Sequence, residues 1–531
     1  METNALRQKI LDLAIRGKLV SQDPNDEPAS VLLERIRAEK QQMVRDGKLK
    51  KKDIENDTII FVGEDNLHYE KFADGTVKCI EDEIPFELPE GWAICRFADL
   101  FNICSSKRVL KSDWRENGIP FYRAREIAKL AICGTVNNEL YISQEHYEKL
   151  KKEYGVPQKG DLMITGVGTI GKVYIVNEGD IFYYKDASVL CFQNSYNAII
   201  PEFAKLLIES ELIQSQIHSK TYGNTVDTIT ITTANNYLCV LPPLEEQSQI
   251  YKKVSTLTES LLEIEKHRES ISSSISSLKS RILDLAIRGK LVPQDPNDEP
   301  ASVLLERIRA EKEELIKQGK IKRDKNESVI FKGEDNSYYE RLCDGTEKCI
   351  DDEIPFEIPN TWIWCRASTI GSTNIGLTYS PANIAEVGTM VLRSSNIIDG
   401  EVDFTDLVRV NSTIRENQYL NDNDILFCAR NGSRRLVGKC ALIRNNSEPM
   451  SFGAFMAVYR CKLNQFLYYF FNTETFRTLF ITDDSKQINQ LTQDIIKNTL
   501  LPIPPKEEQH AIVNAIKLYT SLLNQISISL L

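Results

Sequence analysis

The sequence lacks the features of several classes of protein. None of its apolar runs reaches the roughly 20 residues that cross a bilayer, and the N-terminus lacks the basic region, apolar core and cleavage site of a secretory signal. The twelve cysteines include no CxxC pair, and the five histidines form no HExxH or Cys/His cluster. The sequence predicts a soluble, cytoplasmic protein with reduced thiols, no metal site and no membrane partner.

Known catalytic patterns are missing as well. The stretch GVGTIGKV from Gly166 has the spacing of a phosphate-binding loop, but Val173 stands where that loop needs Ser or Thr to hold magnesium. We expect a hairpin turn there, which directs backbone amides or Lys172 at a phosphate. LPPLEE and IPPKEE lack the leading Asp or Asn and the aromatic of a methyltransferase motif, so they predict a strand-to-helix junction. We expect no bond chemistry from this chain alone.

Charge is unevenly distributed along the chain. The net charge of −11 argues against a uniformly basic nucleic-acid-binding protein. Residues 105–129, however, hold seven basic and three acidic residues, and residues 430–444 hold five basic residues and no acid. Two local basic faces favour contact with phosphate in two places. Ordinary solvated charge is the alternative.

One long stretch occurs twice. ILDLAIRGKLVSQDPNDEPASVLLERIRAEK begins at Ile10 and returns at Ile282 with one change, Ser21 to Pro293. Further matches begin at Phe61 and Phe331 (FVGEDN, FKGEDN) and at Leu241 and Ile503 (LPPLEEQ, IPPKEEQ). Folding alone tolerates wide substitution and does not require such identity. Since residues from about 92 to 240 and from about 362 to 501 diverge, we predict a nearly identical frame that holds two different inserts.

The frame has the apolar spacing of long helices. Positions three and four apart predict a coiled-coil helix from about Glu245 to Arg288. Its length of about 65 Å compares with about 19 base pairs of duplex. Apolar positions at the C-terminus repeat the first half of this helix, and those at the N-terminus repeat its second half. We therefore predict that the termini meet and form a second long helix antiparallel to the first. A tandem duplication of independent copies is the alternative.

Each insert combines strand and helix patterns. Short apolar or alternating runs predict strands, namely DLMITG, KVYIVN and DIFYYK in the first insert and DILFCA, CALIR and FMAVYR in the second. Helical segments follow at PEFAKLLIESELIQSQI and FLYYFFNTETFRTLF. Each insert is therefore predicted to be an α+β globule of about 150 residues.

Residue type singles out candidate DNA contacts within the inserts. Arginine offers a planar fork to guanine, asparagine pairs with adenine, and lysine, serine and threonine bind phosphates. The candidates are Lys107, Arg108, Arg123, Arg125, Thr165, Lys172, Arg393, Ser394, Asn396, Arg430, Asn431, Arg434, Arg435 and Lys439. For each of them, plain surface is the alternative.

The whole chain resembles a specificity (S) subunit of a type I restriction-modification system. The resemblance rests on the repeated ILDLAIRGKLV-QDPNDEPAS segment, DEIPFE-P--W from Asp82 and Asp352, GDLMITGVGTIGKV, and PP-EEQ at Pro242 and Pro504. It implies an α+β fold in which long antiparallel coiled-coil helices separate two globular α/β target-recognition domains, with a pseudo-two-fold internal repeat. Each domain would recognise one half of a split, asymmetric site in double-stranded DNA, and the helices would set the spacing.

The resemblance also implies a division of the chain and a set of partners. The division is an N-terminal helical region with half of the second spacer helix (1–40), a connector (41–90), target-recognition domain 1 (91–244), the central helix and repeat (245–312), a connector (313–360), target-recognition domain 2 (361–506) and a C-terminal helix packing with the central helix and the N-terminus (507–531). Two methylation (M) subunits, which bind S-adenosylmethionine, and restriction (R) subunits, which use ATP and Mg²⁺, would be the partners.

No cofactor is expected on this chain. The expected docking residues are Leu13, Arg16, Leu19, Leu285, Arg288 and Leu291, because identical frames would offer identical surfaces to two copies of one partner. Two other functions stay open at this point. One is the specificity subunit of an orphan adenine methyltransferase without restriction, and the other is a symmetric protein scaffold that binds no DNA.

Overall fold

The computed structural model describes residues 3–47, 49–50, 54, 57–218, 228–321, 323, 327–444, 448–480 and 490–530. The chain forms two compact units, residues 1–267 (unit 1) and 268–531 (unit 2). Within the described ranges, no helix is both long enough and apolar enough to cross a membrane.

Unit 1 alternates helices with short strands. Its helices are α1 (Thr3–Ile15), α2 (Ala29–Arg45), α3 (Phe97–Leu100), α4 (Ala124–Cys133), α5 (Gln144–Tyr154), α6 (Pro201–Glu209), α7 (Glu211–His218), α8 (Ile231–Asn235) and the first half of α9 (Leu244–Ile287). Its strands are β1 (Ile59–Val62), β2 (His68–Lys71), β3 (Val77–Cys79), β4 (Ala93–Arg96), β5 (Asn102–Cys104), β6 (Ile119–Tyr122), β7 (Tyr141–Ile142), β8 (Leu162–Thr165), β9 (Val173–Ile175), β10 (Tyr183–Tyr184), β11 (Val189–Gln193) and β12 (Leu238–Leu241).

The 44-residue helix α9 begins and ends where the sequence predicts. It starts just after Pro242 and Pro243, and Glu245 and Glu246 stabilise its first turn through the helix dipole. It stops before Gly289, whose φ of +66° is accessible to glycine without a steric penalty. A Cβ at Gly289 would lie 2.5 Å from Cγ of Pro359. The frame therefore needs glycine here, both for the helix end and for the close approach of the chain.

Helix α1 packs antiparallel to the first half of α9. The hydroxyl of Thr3 donates a hydrogen bond to Glu265, while Gln22, just beyond the other end of α1, donates from Nε2 to Glu246 Oε1 at 3.0 Å. The buried Leu11 of α1 joins a core that also contains Ile250 of α9. The N-terminal frame segment is thereby fixed beside the helix that follows the insert.

The two ends of the first insert leave the frame side by side. Strands β4 and β12 pair antiparallel, with Ile94 opposite Val240. Just before β4, the buried Trp92 donates from Nε1 to Glu246 Oε2 at 2.9 Å. One strand pair therefore closes the base of the insert, where the chain leaves the frame and returns to it.

A connector sheet, formed by β1, β2 and β3, packs against this base. The Arg96 guanidinium contacts Glu70 Oε2 at 2.7 Å and Glu83 Oε2 at 2.8 Å. Glu70 is 2% exposed and Arg96 8% exposed. A buried charge that loses its partner is costly, so this ion pair holds the connector sheet to β4.

The insert of unit 1 contains two sheets. One has the strand order β5-β11-β8-β9 and is antiparallel; the other has the order β10-β6-β7, with β10 parallel to β6. Strands β8 and β9 form a hairpin, so the expectation of a hairpin turn at Gly166 is confirmed. The predicted helix at 201–217 is two helices, because the chain is extended at Ser210 between α6 and α7.

Unit 2 contains the second half of α9 and repeats this plan. Its other helices are α10 (Ala301–Lys317), α11 (Ala367–Ile370), α12 (Asn464–Phe471), α13 (Glu474–Arg477), α14 (Gln493–Asn498) and α15 (Lys506–Ser529). Its strands are β13 (Ser328–Lys332), β14 (Tyr338–Leu342), β15 (Glu347–Cys349), β16 (Ile363–Arg366), β17 (Ser372–Ile375), β18 (Ile384–Leu392), β19 (Ile397–Ile398), β20 (Glu401–Val402), β21 (Val408–Val410), β22 (Ile425–Cys428), β23 (Cys440–Leu442), β24 (Met450–Phe452), β25 (Met456–Arg460) and β26 (Leu500–Ile503).

The frame contacts of unit 1 recur in unit 2. Strands β16 and β26 pair antiparallel at the base of the second insert, and Trp362 Nε1 donates to Glu508 Oε2 at 2.8 Å. Arg366 contacts Glu340 and Glu353 at 2.6 and 2.7 Å. The same frame therefore supports both inserts.

The second insert also has the sheet topology of the first. Its sheets have the orders β17-β25-β22-β23 and β21-β18-β24, and a small hairpin, β19-β20, is added. The strands predicted at DILFCA, CALIR and FMAVYR are confirmed as β22, β23 and β25. Two inserts with little sequence in common therefore share one fold.

Helix α15 packs antiparallel to the second half of α9. Lys279 donates from Nζ to Asn524 Oδ1 at 2.7 Å, while Ile287, at the end of α9, shares a core with Ile512 near the start of α15. The predicted meeting of the termini involves Met1, Glu2 and Leu531, which lie outside the described residues.

One buried carboxyl distinguishes the two frames. Asp99 is 3% exposed and accepts hydrogen bonds from the backbone N–H groups of Arg96 and Thr58 at 2.9 and 3.2 Å. Burial raises the pKa of Asp99 to about 6, and the nearby Asp57 carboxylate adds to this rise. Unit 2 has Thr369 at the corresponding position.

We expect Asp99→Asn to change how the stability of unit 1 depends on pH. A raised pKa means that the folded state binds the proton more tightly than the unfolded state, so the stabilisation is present at low pH and is lost as pH rises through about 6. From pH 7 to pH 5, the wild type should gain about 1 kcal/mol of unfolding free energy relative to the variant. Denaturant unfolding at both pH values measures this gain, and parallel pH curves for the two proteins would contradict it.

Candidate nucleic-acid interface

A groove of about 970 Å³ opens in unit 2 where several loops converge. It is lined by the segment after β17, the end of β18, the loop between β22 and β23, and the turn between β24 and β25. Apolar groups from Leu377, Tyr379 and Ile384 form part of its wall. A concave surface built from loops on two rigid sheets is a typical binding site.

Five predicted DNA contacts line this groove: Arg393, Ser394, Arg430, Asn431 and Arg434. Asn431 Nδ2 donates to Ser394 Oγ at 3.1 Å, which joins two segments far apart in sequence. The structure thus brings the start of the segment after β18 and the loop between β22 and β23 together on one surface. This arrangement concentrates positive charge and hydrogen-bond donors as a nucleic-acid site requires.

Other predicted residues of unit 2 have different positions. Arg435 is exposed, but it does not line the groove. Lys439 is half-buried and donates from Nζ to the carbonyl of Ile397 at 2.8 Å. Lys439 therefore ties the β22–β23 loop to β19 in this structure.

Two predicted contacts are corrected by their burial. Asn396 is 1% exposed; its Oδ1 accepts from the Arg393 N–H at 2.9 Å and its Nδ2 donates to the carbonyls of Asp403 and Asp406. Thr165 is fully buried, and its hydroxyl donates to the Thr169 carbonyl at 2.5 Å. Because these polar groups are already used inside the protein, both residues shape the loops and present no atom to a ligand.

In unit 1 the same end of the insert carries the basic residues. Ser106 Oγ donates to the Tyr184 carbonyl at 2.7 Å, and the Tyr183 hydroxyl accepts from the Lys107 N–H at 3.0 Å. These bonds fix the loop after β5, on which Lys107 and Arg108 are exposed. Lys107 Nζ lies 5.3 Å from the centroid of the Tyr154 ring. Lys172, half-buried, lies at the end of the β8–β9 turn.

Arg123 and Arg125 are held by carboxylates. Arg123 donates from Nε and Nη2 to the two oxygens of Glu126 at 3.0 and 2.8 Å, and Arg125 donates from Nε to Glu126 at 2.5 Å and contacts Glu139. Burial of Glu126 is outweighed by these hydrogen bonds, so the pKa of its carboxyl is lowered. Glu126 therefore stays charged, orients both guanidinium groups and offsets part of their charge.

Sequence reasoning missed the aromatic component of the groove. Phe455, between β24 and β25, lines it with 63% of its surface exposed, and the Arg430 guanidinium lies 5.9 Å from its ring centroid. Tyr379 also lines the groove. Cationic and polar residue types indicate DNA contacts in a sequence, whereas an aromatic in a strand-rich segment has the pattern of a core residue.

The predicted docking arginines lie in matching surroundings in the two frames. Arg16 lies 4.8 Å from the Phe86 ring centroid, and Arg288 lies 4.6 Å from that of Phe356. Each also pairs with the aspartate four residues earlier. The four predicted leucines are all half-buried: Leu13, Leu19, Leu285 and Leu291. The two frame copies therefore present equivalent, partly exposed surfaces.

Comparison with known proteins agrees with this fold. The family model for the type I restriction modification DNA specificity domain matches residues 89–271 and 373–530, more than half of the chain. The chain belongs to this family of type I restriction-modification specificity subunits.

Relatives and solved structures extend the match. The chain is 27% identical to the EcoAI specificity subunit of Escherichia coli, covering 96% of this chain and 87% of that protein, and 28% identical to the EcoEI specificity subunit of the same species, covering 84% and 75%. A solved structure, described under the complex assembly and conformational transition of the type I R-M system, superposes on this chain with a TM-score of 0.54. The two chains are 15% identical, and the match covers 84% of this chain and 94% of that one. The HsdS subunit of Thermoanaerobacter tengcongensis gives a TM-score of 0.50 at 17% identity, covering 85% and 94%. These structures share the fold.

We expect Asn396→Ala to destabilise unit 2 by about 1–3 kcal/mol, because it removes a buried side chain and leaves three partly buried backbone groups without their partner. Denaturant unfolding of unit 2 measures the change. Ser395→Ala, at the exposed neighbouring residue, is the control and should leave stability unchanged. If the Asn396 variant kept normal stability but lost DNA binding, Asn396 would be a direct DNA contact despite its burial.

Proposed function

We propose that this chain is the sequence-recognising subunit of a DNA-modifying complex and performs no bond chemistry itself. Each insert recognises one half of an asymmetric, bipartite site in double-stranded DNA. The observation that carries this proposal is that five predicted contacts line one groove in unit 2. The fold places the two divergent inserts on equivalent frames. Membership of the specificity family supports it.

The frame supplies the spacing and the docking surfaces in this proposal. Helix α9 is continuous over 44 residues and belongs to both units. Apolar side chains remain exposed along the frame helices, such as Ile264 at 52%, Leu278 at 50% and Leu518 at 59%. Exposed apolar rows on long helices are typical of surfaces that bind another protein.

Two methylation subunits dock on the two equivalent frames in this proposal, and restriction subunits complete the assembly. S-adenosylmethionine binds to the methylation subunits, and ATP and Mg²⁺ serve the restriction subunits. The docking residues are Leu13, Arg16 and Leu19 in one frame and their counterparts Leu285, Arg288 and Leu291 in the other.

Methylome sequencing tests the recognition role. Cells that express this chain with its methylation subunit should gain a bipartite methylated motif that cells without the chain lack. Replacing residues 97–237, between β4 and β12, with the corresponding part of a homologous chain should change one half of the motif and leave the other half intact, because the strand pair at the base is kept. Loss of both halves in a complex that still assembles would contradict independent recognition.

Native mass spectrometry tests the docking sites. Leu13→Glu and Leu285→Glu should each remove one of the two methylation subunits, and the double variant should lose both, since a charge cannot be buried in an apolar interface without a large cost. Val387→Glu, at a residue of the second insert that is 85% exposed, is the matched control and should retain both subunits. A full complement of methylation subunits in the double variant would exclude these positions from the interface.

A further inference from the structure

Backbone hydrogen bonds align the two inserts residue by residue at the groove. The Gly166 N–H donates to the Ser188 carbonyl at 2.9 Å, and the Ala429 N–H donates to the Phe455 carbonyl at 2.9 Å. The next residues, Val167 in unit 1 and Arg430 in unit 2, each form an isolated bridge to a returning segment. Val167 therefore corresponds to Arg430, and Ser188 corresponds to Phe455.

Phe455 is exposed and rigidly placed. Its carbonyl accepts hydrogen bonds from the N–H groups of Ala429 and Arg430 at 2.9 and 3.0 Å, and the turn is closed by the Met456 N–H, which donates to the Gly453 carbonyl at 2.8 Å. Packing does not explain the ring, because 63% of the residue faces solvent. An exposed aromatic on a fixed backbone loses little entropy when it contacts a ligand.

The surroundings of Arg430 differ from those of Arg123 and Arg393. Arg123 is bound by Glu126 and Arg393 by Asp406. Within the ranges that the structure describes, Arg430 has no carboxylate partner, and its guanidinium lies over the Phe455 ring. Such a contact uses the face of the guanidinium and leaves its in-plane N–H donors available.

We propose that Arg430 and Phe455 form the base-recognising pair of unit 2, in which Arg430 binds O6 and N7 of a guanine and Phe455 contacts the methyl group of a neighbouring thymine. In the major groove, guanine presents the acceptors O6 and N7 to the arginine fork, and thymine presents its methyl group to an apolar side chain. The inference rests on the proposed function, since it names the bases that this groove recognises. Unit 1, with Val167 and Ser188 at the same positions, presents neither group and recognises its half-site through other residues.

A phosphate contact is the competing role for Arg430. Lysine can replace arginine as a point charge beside a phosphate, but it cannot reproduce the two parallel hydrogen bonds to guanine. Arg430→Lys therefore separates the two roles. Arg430→Val and Phe455→Ser place the residues of unit 1 on the fold of unit 2 and so are compatible with its backbone.

The experiment is methylome sequencing of cells that carry the methylation subunit with the wild-type chain, each of these three variants, or Ile398→Ser as a control for loss of an exposed apolar residue. Arg430→Lys and Arg430→Val should relax one G·C position in the half-site of unit 2, by about tenfold to hundredfold in discrimination. Phe455→Ser should relax the adjacent T·A position. The half-site of unit 1 and the control should be unchanged.

Three outcomes would overturn the pair assignment while leaving the proposed function intact. They are an unchanged motif in every variant, a wild-type motif in Arg430→Lys with uniformly weaker methylation in Arg430→Val, or relaxation confined to the half-site of unit 1. Absence of any motif with the wild-type chain, in a complex that assembles, would instead reject the proposed function and the pair with it.

Discussion

The closed base of each insert is the constraint on which the rest of the structure depends. Strands β4 and β12 bring together positions almost 150 residues apart, and the buried bond from Trp92 to Glu246 joins them to the start of α9. Unit 2 repeats this with Trp362 and Glu508. Both chain ends of the insert are fixed at one place, so its loops can vary while the paired strands keep their position.

This constraint separates two demands that normally compete. A surface that recognises DNA must change when the target changes, whereas a surface that docks a common partner must stay the same. In the function that we propose, the loops between sheet strands meet the first demand and the repeated frame meets the second. The ion pair of Arg96 with Glu70, recurring as Arg366 with Glu340, shows how strictly the frame is kept.

The two inserts use one fold with different surface chemistry. In unit 1, Glu126 holds Arg123 and Arg125 and lowers their net charge. In unit 2, Arg393, Arg430 and Arg434 line a groove that contains an exposed aromatic ring. The same sheet topology therefore presents different groups, as expected if each half of an asymmetric site has its own sequence.

The sequence alone determined the repeat, the extent of α9, and the insert strands at DILFCA, CALIR and FMAVYR, because these follow from local identity and from apolar periodicity. It also indicated the basic segments that meet in the groove. Only the tertiary structure decided which side chains are available. Thr165 and Asn396 have side chains that could bind DNA, but both are buried and their polar groups form hydrogen bonds within the protein. Phe455 has the character of a core residue, but it is exposed. Burial and hydrogen-bond partners depend on residues distant in sequence, so local pattern cannot supply them.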